Sequence, residues 1–131
     1  MDIPRSAPDA EMAVLGSMLI EEQAARTAKL YLTELDFYVE KHRKIFSAIV
    51  EILEESSRPA IDLVIVGERL RAAGQLDSVD GTAYLSELLH KVAYAGHAEY
   101  YAQIVRKASL ERQVERQLEF TARDRTPENV H

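Results

Sequence analysis

The chain has 131 residues, which suits one domain, and 47% of them are hydrophobic, enough for a core of its own. The absence of cysteine excludes disulfides and thiolate metal sites and points to a reducing compartment. The formal net charge of -6 argues against a large phosphate-binding face, and an acidic surface also simply keeps many cytoplasmic proteins soluble. In chain order, Ile3 to Pro8 reads as an extended arm, with Ser6 or Asp9 placed to cap a helix from about Ala10 to Glu21. Met12, Leu15, Gly16 and Leu19 share one face of that helix. Gly16 costs a helix roughly 1 kcal/mol against alanine, so close approach of another helix is expected there. A second, alanine-rich helix is predicted over Glu22 to Tyr31, followed by a connector anchored by Leu35, Asp36, Phe37 and Tyr38.

A third helix, Glu40 to Glu55, carries the apolar stripe Ile45, Phe46, Ile49, Ile52 and Leu53 and is ended by Ser56, Ser57, Arg58 and Pro59. The run from Ile61 to Val66 is rich in β-branched residues, which favour strand. Asp62 as an N-cap, the spacing of Leu63, Val66, Gly67 and Leu70, and Gly74 as a C-cap predict helix instead. A short helix follows over Gly81 to His90, capped by Ser78 or Asp80. The last helix, His97 to Arg123, spans roughly 40 Å. Ala98, Tyr101, Ile104, Val105 and Ala108 line one side of its first half. Leu110, Val114 and Leu118 line another side of its second half, roughly 140° away. The first stripe completes the core of its own globule; the second faces elsewhere. Thr126, Pro127 and Glu128 form a helix-start signal just before the final residue, His131, which reads as the truncated beginning of a further helix.

Catalytic signatures are sparse. None of the glycines 16, 67, 74, 81 and 96 belongs to a G-x-x-x-x-G-K-[ST] phosphate loop. The histidines, His42, His90, His97 and His131, have no H-x-x-x-H or H-E-x-x-H spacing, so no metal or cofactor site is expected. His42 reads as a structural residue at the start of the third helix's stripe, and His90 as a last-turn cation suited to the helix dipole. Lys41-His42-Arg43-Lys44 is a weak basic cluster. Glu111, Glu115 and Glu119 alternate with Arg112 and Arg116 as a solvated ion-pair ladder. No apolar run approaches a membrane span, and the first residues lack the regions of a secretory signal, so a cytoplasmic location is expected.

Four segments in order, PRSAPDAEMAVLGSMLI, DFYVEKHRKIFSAI, IDLVIVGERLRAAGQLDSVDGTAYLSELL and AEYYAQIVRKASLERQ, resemble the N-terminal domain of the DnaB-type replicative DNA helicase family. The resemblance covers about Ile3 to Gln117. It implies an all-α fold: a helical globule, residues 1–96, followed by the long first helix of a hairpin and the truncated start of its return helix, residues 97–131. It implies a domain that assembles with itself, as dimers within a hexameric ring around single-stranded DNA, and docks primase, with a helicase loader or initiator as a further partner class. ATP and magnesium would be handled by an ATPase domain outside this sequence; the fragment itself would be no enzyme and would bind single-stranded DNA weakly. Tyr84, Leu110, Val114 and Leu118 are the candidate interface residues. Other readings of the same residues are a stand-alone helical dimeric adaptor or regulator, and a small enzyme whose site the sequence does not reveal.

Overall fold

In the computed structural model, residues 7–58, 60–92 and 95–124 are described. The arm from Ile3, the Ser6 cap and the helix start at Thr126 lie outside them. The architecture is all-α, with α1 Pro8–Ile20, α2 Glu22–Tyr31, α3 Glu40–Leu53, α4 Leu63–Ala72, α5 Gly81–Lys91 and α6 Ala98–Asp124. Three short 3₁₀ turns sit at Glu34–Asp36, Asp77–Val79 and Ala95–His97. No strand occurs among the described residues.

The helix α1 is the axis of the globule and packs on α2, α3, α5 and α6. It opens with Pro8 in its first turn, where a missing N–H costs nothing. Ala7 is the N-cap, and Asp9 lies inside the first turn rather than capping it. Sequence spacing assigned one apolar face to this helix; the structure buries nearly every side. Val14, Ser17 and Met18 are buried along with Leu15, Gly16 and Leu19, while Met12 is half-buried. A helix enclosed by neighbours all round has no solvent face to keep polar, so its periodicity is blurred. Ser17 is tolerated there because its hydroxyl donates to the carbonyl of Ala13 at 2.8 Å.

The interior glycine of α1 has the expected cause. A Cβ built on Gly16 would sit 2.3 Å from the carbonyl oxygen of Leu88 and 2.5 Å from Cγ2 of Val92, so α5 crosses almost in backbone contact. The obstructing oxygen belongs to a helix backbone and cannot rotate aside. Gly16→Ala is therefore expected to lose about 1–3 kcal/mol through overpacking, even after its gain of about 1 kcal/mol in helix propensity. Urea unfolding measures the difference; a stability equal to or above the parent's would mean that the α1–α5 crossing relaxes freely.

Local signals at α4 decide helix over strand. The Asp62 carboxylate accepts from the backbone N–H of Ile65 at 2.8 Å, an N-cap bond. At the other end Gly74 takes φ +73°, and the N–H of Gln75 donates to the carbonyl of Leu70 at 2.8 Å. Together with the bond from the Gly74 N–H to Arg71 this closes a Schellman motif. Before α5, neither expected cap works through its side chain. Asp80 occupies the N-cap position in a left-handed conformation, φ 68°, but its carboxylate turns to Lys41 at 2.9 Å. Ser78 donates to the carbonyl of Gln75. The third helix ends at Leu53, two residues short of the expected Glu55, and its stripe of Ile45, Phe46, Ile49, Ile52 and Leu53 is buried throughout. Among the described residues no helix is long and apolar enough to cross a membrane.

Candidate assembly and docking surface

The 27 residues of α6 divide into two environments. In the first half Ala98, Ala102, Val105, Ala108 and Ser109 are buried against the globule, mostly through contacts of α6 with α1 and α2. Small side chains at this i, i+4, i+7 spacing let the helix axis come close to its neighbours. Tyr101 and Ile104, expected in the same stripe, are only half-buried at its flank. Past Ser109 no described residue of the helix is fully buried. Leu110, Val114 and Leu118 are 42%, 59% and 65% exposed. At about 100° per residue, Val114 stands about half a turn from Val105, so this stripe faces away from the body of the domain. Phe120, 61% exposed, lies off the stripe beside Gln113, Arg116 and Gln117 around a shallow depression of about 470 Å³. Sequence periodicity had no place for Phe120, because it falls between the two stripes.

The departure point of α6 is held by Asp36, in the connector between α2 and α3. Asp36 is 2% exposed. One carboxylate oxygen accepts from Arg106 and from the Ser109 hydroxyl, both at 2.7 Å, and the other accepts from the backbone N–H of Thr33 at 2.8 Å. Its own carbonyl accepts from Arg112 at 2.9 Å. Burial alone would raise the carboxyl's pKa, but the bonds from Thr33, Ser109 and Arg106 outweigh it and hold the pKa below the ordinary aspartate value. Arg112, expected in a solvated ladder, thus reaches back to the globule, with its guanidinium 5.3 Å from the centre of the Tyr38 ring. A groove of about 570 Å³ runs between α6 and the connector, with exposed Leu35 and Tyr38 on one wall and Arg112, Arg116 and Glu119 on the other.

The structure places the Tyr84 side chain in the core, 8% exposed. Its hydroxyl lies 2.6 Å from Nε2 of His42, whose Nδ1 donates to the Glu11 carboxylate at 2.7 Å. Glu11 also accepts from the backbone N–H groups of Tyr38 and Val39 at 2.7 and 3.3 Å. Burial, with Glu87, Asp80 and Glu11 nearby, pushes the Tyr84 pKa up to about 12, so its hydroxyl keeps its proton as a donor. The Lys41 ammonium covers the ring, 3.6 Å from its centre. This acid–histidine–tyrosine chain has the ingredients of proton transfer but no substrate space, because all three side chains are enclosed.

The weak basic cluster of α3 is likewise engaged by partners within the domain. Lys41 pairs with Asp80, His42 is buried, Arg43 donates to the carbonyls of Phe37 and Tyr38, and Lys44 donates to Ser78. Of the other histidines, His90 bonds the carbonyl of Ser86 one turn back, His97 closes the last 3₁₀ turn, and His131 lies outside the described residues. No group of three or more His, Cys, Asp or Glu suited to a metal occurs among the described residues.

Comparison with known proteins gives a consistent result. The family described as DnaB-like helicase N terminal domain matches residues 3–107. The chain is 42% identical over 113 residues to the replicative DNA helicase DnaB of Rhodothermus marinus, covering 86% of this chain and 12% of that protein. It is 38% identical over 122 residues to the DnaB of Geobacillus stearothermophilus, covering 93% of this chain and 26% of that one. The chain therefore spans only 12% and 26% of the length of these two relatives. The crystal structure of the N-terminal domain of DnaB helicase from Mycobacterium tuberculosis superposes with a TM-score of 0.83 at 33% identity, covering 92% of this chain and 86% of that one.

Proposed function

The chain belongs to the DnaB-like helicase N-terminal domain family, and from that premise we propose that it is the assembly and primase-docking domain of a replicative helicase. Unwinding, and the ATP and magnesium that drive it, then belong to another domain of the same protein, and single-stranded DNA is engaged by the assembled ring. The observation that carries the reading is the Leu110, Val114 and Leu118 face of α6, exposed in helical register on the side turned away from the globule. Scattered apolar side chains on a surface need no explanation, but three in helical register on a projecting segment form a stripe for another helix.

Assembly and docking divide this surface between them. The stripe serves pairing with a second helix and a second subunit. The second half of α6 and the neighbouring globule wall with Leu35 and Tyr38 serve primase. With its ring in the core, Tyr84 contributes to that wall only by holding α3 and α5 in place. Titrating the helicase-binding domain of primase against this chain tests docking, with Leu35→Glu as the variant. Leu35 is 76% exposed, so the substitution leaves the fold intact. Burying a carboxylate at a contact is expected to weaken binding at least tenfold, about 1.4 kcal/mol. Undiminished binding by Leu35→Glu would move primase off this wall.

A further inference from the structure

The geometry points to Asp36 as a positioning residue that sets the direction in which the free half of α6 leaves the globule. The inference deepens the assembly reading and rests on it for its biological use. A helix whose inner half is seated largely through small side chains, the buried alanines at 98, 102 and 108, has little side-chain bulk there to set its rotation. Three α6 residues on the inward side of successive turns, Arg106, Ser109 and Arg112, converge on one residue of the α2–α3 connector. Two bind its carboxylate and one its carbonyl, so they fix both the rotation of α6 about its axis and its tilt against the connector. The connector is fixed in turn. Thr33 donates to the second carboxylate oxygen, and neighbouring Phe37 is wholly buried and packs on Phe46 with ring centres 4.9 Å apart. The three bonds fall between Arg106 and Arg112, where the buried part of α6 gives way to the exposed stripe, so a small angular error there is carried outward along the rest of the helix.

The test is a pair of distance measurements between nitroxide labels, made on the full chain, which has no native cysteine to interfere. One pair joins Leu30→Cys on α2 to Leu118→Cys on α6; the control joins Leu30→Cys to Val64→Cys within the globule. All three sites are well exposed. Spectra are read at dilute concentration, so the result does not depend on whether α6 mediates assembly. In Asp36→Asn, and in Arg106→Gln/Ser109→Ala as the milder second variant, the 30–118 distribution is expected to widen at least twofold while the 30–64 distribution stays as in the parent. An unchanged 30–118 distribution in either folded variant would overturn the proposal. So would equal broadening of both pairs or unfolding of both variants, since Asp36 would then be a determinant of the core and not of helix direction.

Discussion

Glu11→Ala is expected to destabilise the domain by about 3–5 kcal/mol, because it removes the shared acceptor of three donors. Glu11 is 1% exposed, and its carboxylate accepts from the Tyr38 and Val39 N–H groups and from His42. Alanine would strand the buried His42 donor and the part-buried N–H groups of Tyr38 and Val39, each costing about 1–3 kcal/mol if wholly unpaired. The position adds to the loss. Val39 is the N-cap of α3 and has no side-chain acceptor, so Glu11, contributed by α1, supplies negative charge at that helix start. Small domains have about 5–15 kcal/mol of net stability, so the variant should unfold at a much lower urea concentration, with an unchanged slope. Tyr84→Phe removes only the last link, the hydroxyl facing Nε2 of His42, and should cost about 1–2 kcal/mol. If Glu11→Ala falls within 1 kcal/mol of the parent, the side chains rearrange or water enters, and the chain from Glu11 to Tyr84 is not what holds α1, α3 and α5 together.

That network also shows where the sequence stops being informative. Elements governed by local chemistry were legible: α2 runs over the predicted Glu22–Tyr31, and Asp62 with Gly74 brackets α4 despite its β-branched residues. The exposure of Leu110, Val114 and Leu118 follows from helical spacing, because a stripe on the far side of a docked helix has only solvent to meet. Glu11 and Asp36 were not legible. Each sits among other acids near a helix or turn start, where a carboxylate ordinarily points to water. Their partners lie about 30 and 70 residues away in sequence. The Thr33–Asp36 capping box is a local pattern, but nothing local tells that the same carboxylate also gathers donors from α6, or that Glu11 gathers them from α3 and its approach. Tyr84 is ambiguous for the converse reason: an aromatic on a short helix can serve the core or a partner, and its burial with a hydrogen bond to His42 is visible only in three dimensions. Gly16 lay between these extremes, since its cost to a helix implied a close neighbour without saying that the neighbour is α5.

On its own the chain is expected to be a monomer or weak dimer at micromolar concentration, and a chain lengthened to carry a return helix a tight dimer in which Val114→Asp weakens association about 100-fold or more. Leu110, Val114 and Leu118 would each gain roughly 1.5–3 kcal/mol on full burial. Lost rigid-body freedom and side-chain ordering offset much of that gain when one narrow stripe meets another. A second helix of similar length, roughly 25–40 further residues with its turn, would clamp the free half of α6 and widen the apolar face. The free half needs such support, because helical segments of this size are marginal without tertiary contacts. Val114 is the middle of the three and 59% exposed, so aspartate there should leave the globule folded while placing a carboxylate at the centre of the pairing face. A 100-fold loss corresponds to about 2.7 kcal/mol, less than the cost of burying an unpaired carboxylate, so the estimate allows for partial escape to solvent. Sedimentation equilibrium on both lengths, with and without Val114→Asp, reads all four states. A tight dimer of the 131-residue chain that ignores Val114→Asp would place the pairing surface on the globule, where exposed Leu30 on α2 and Leu35 in the α2–α3 connector become the residues to substitute next.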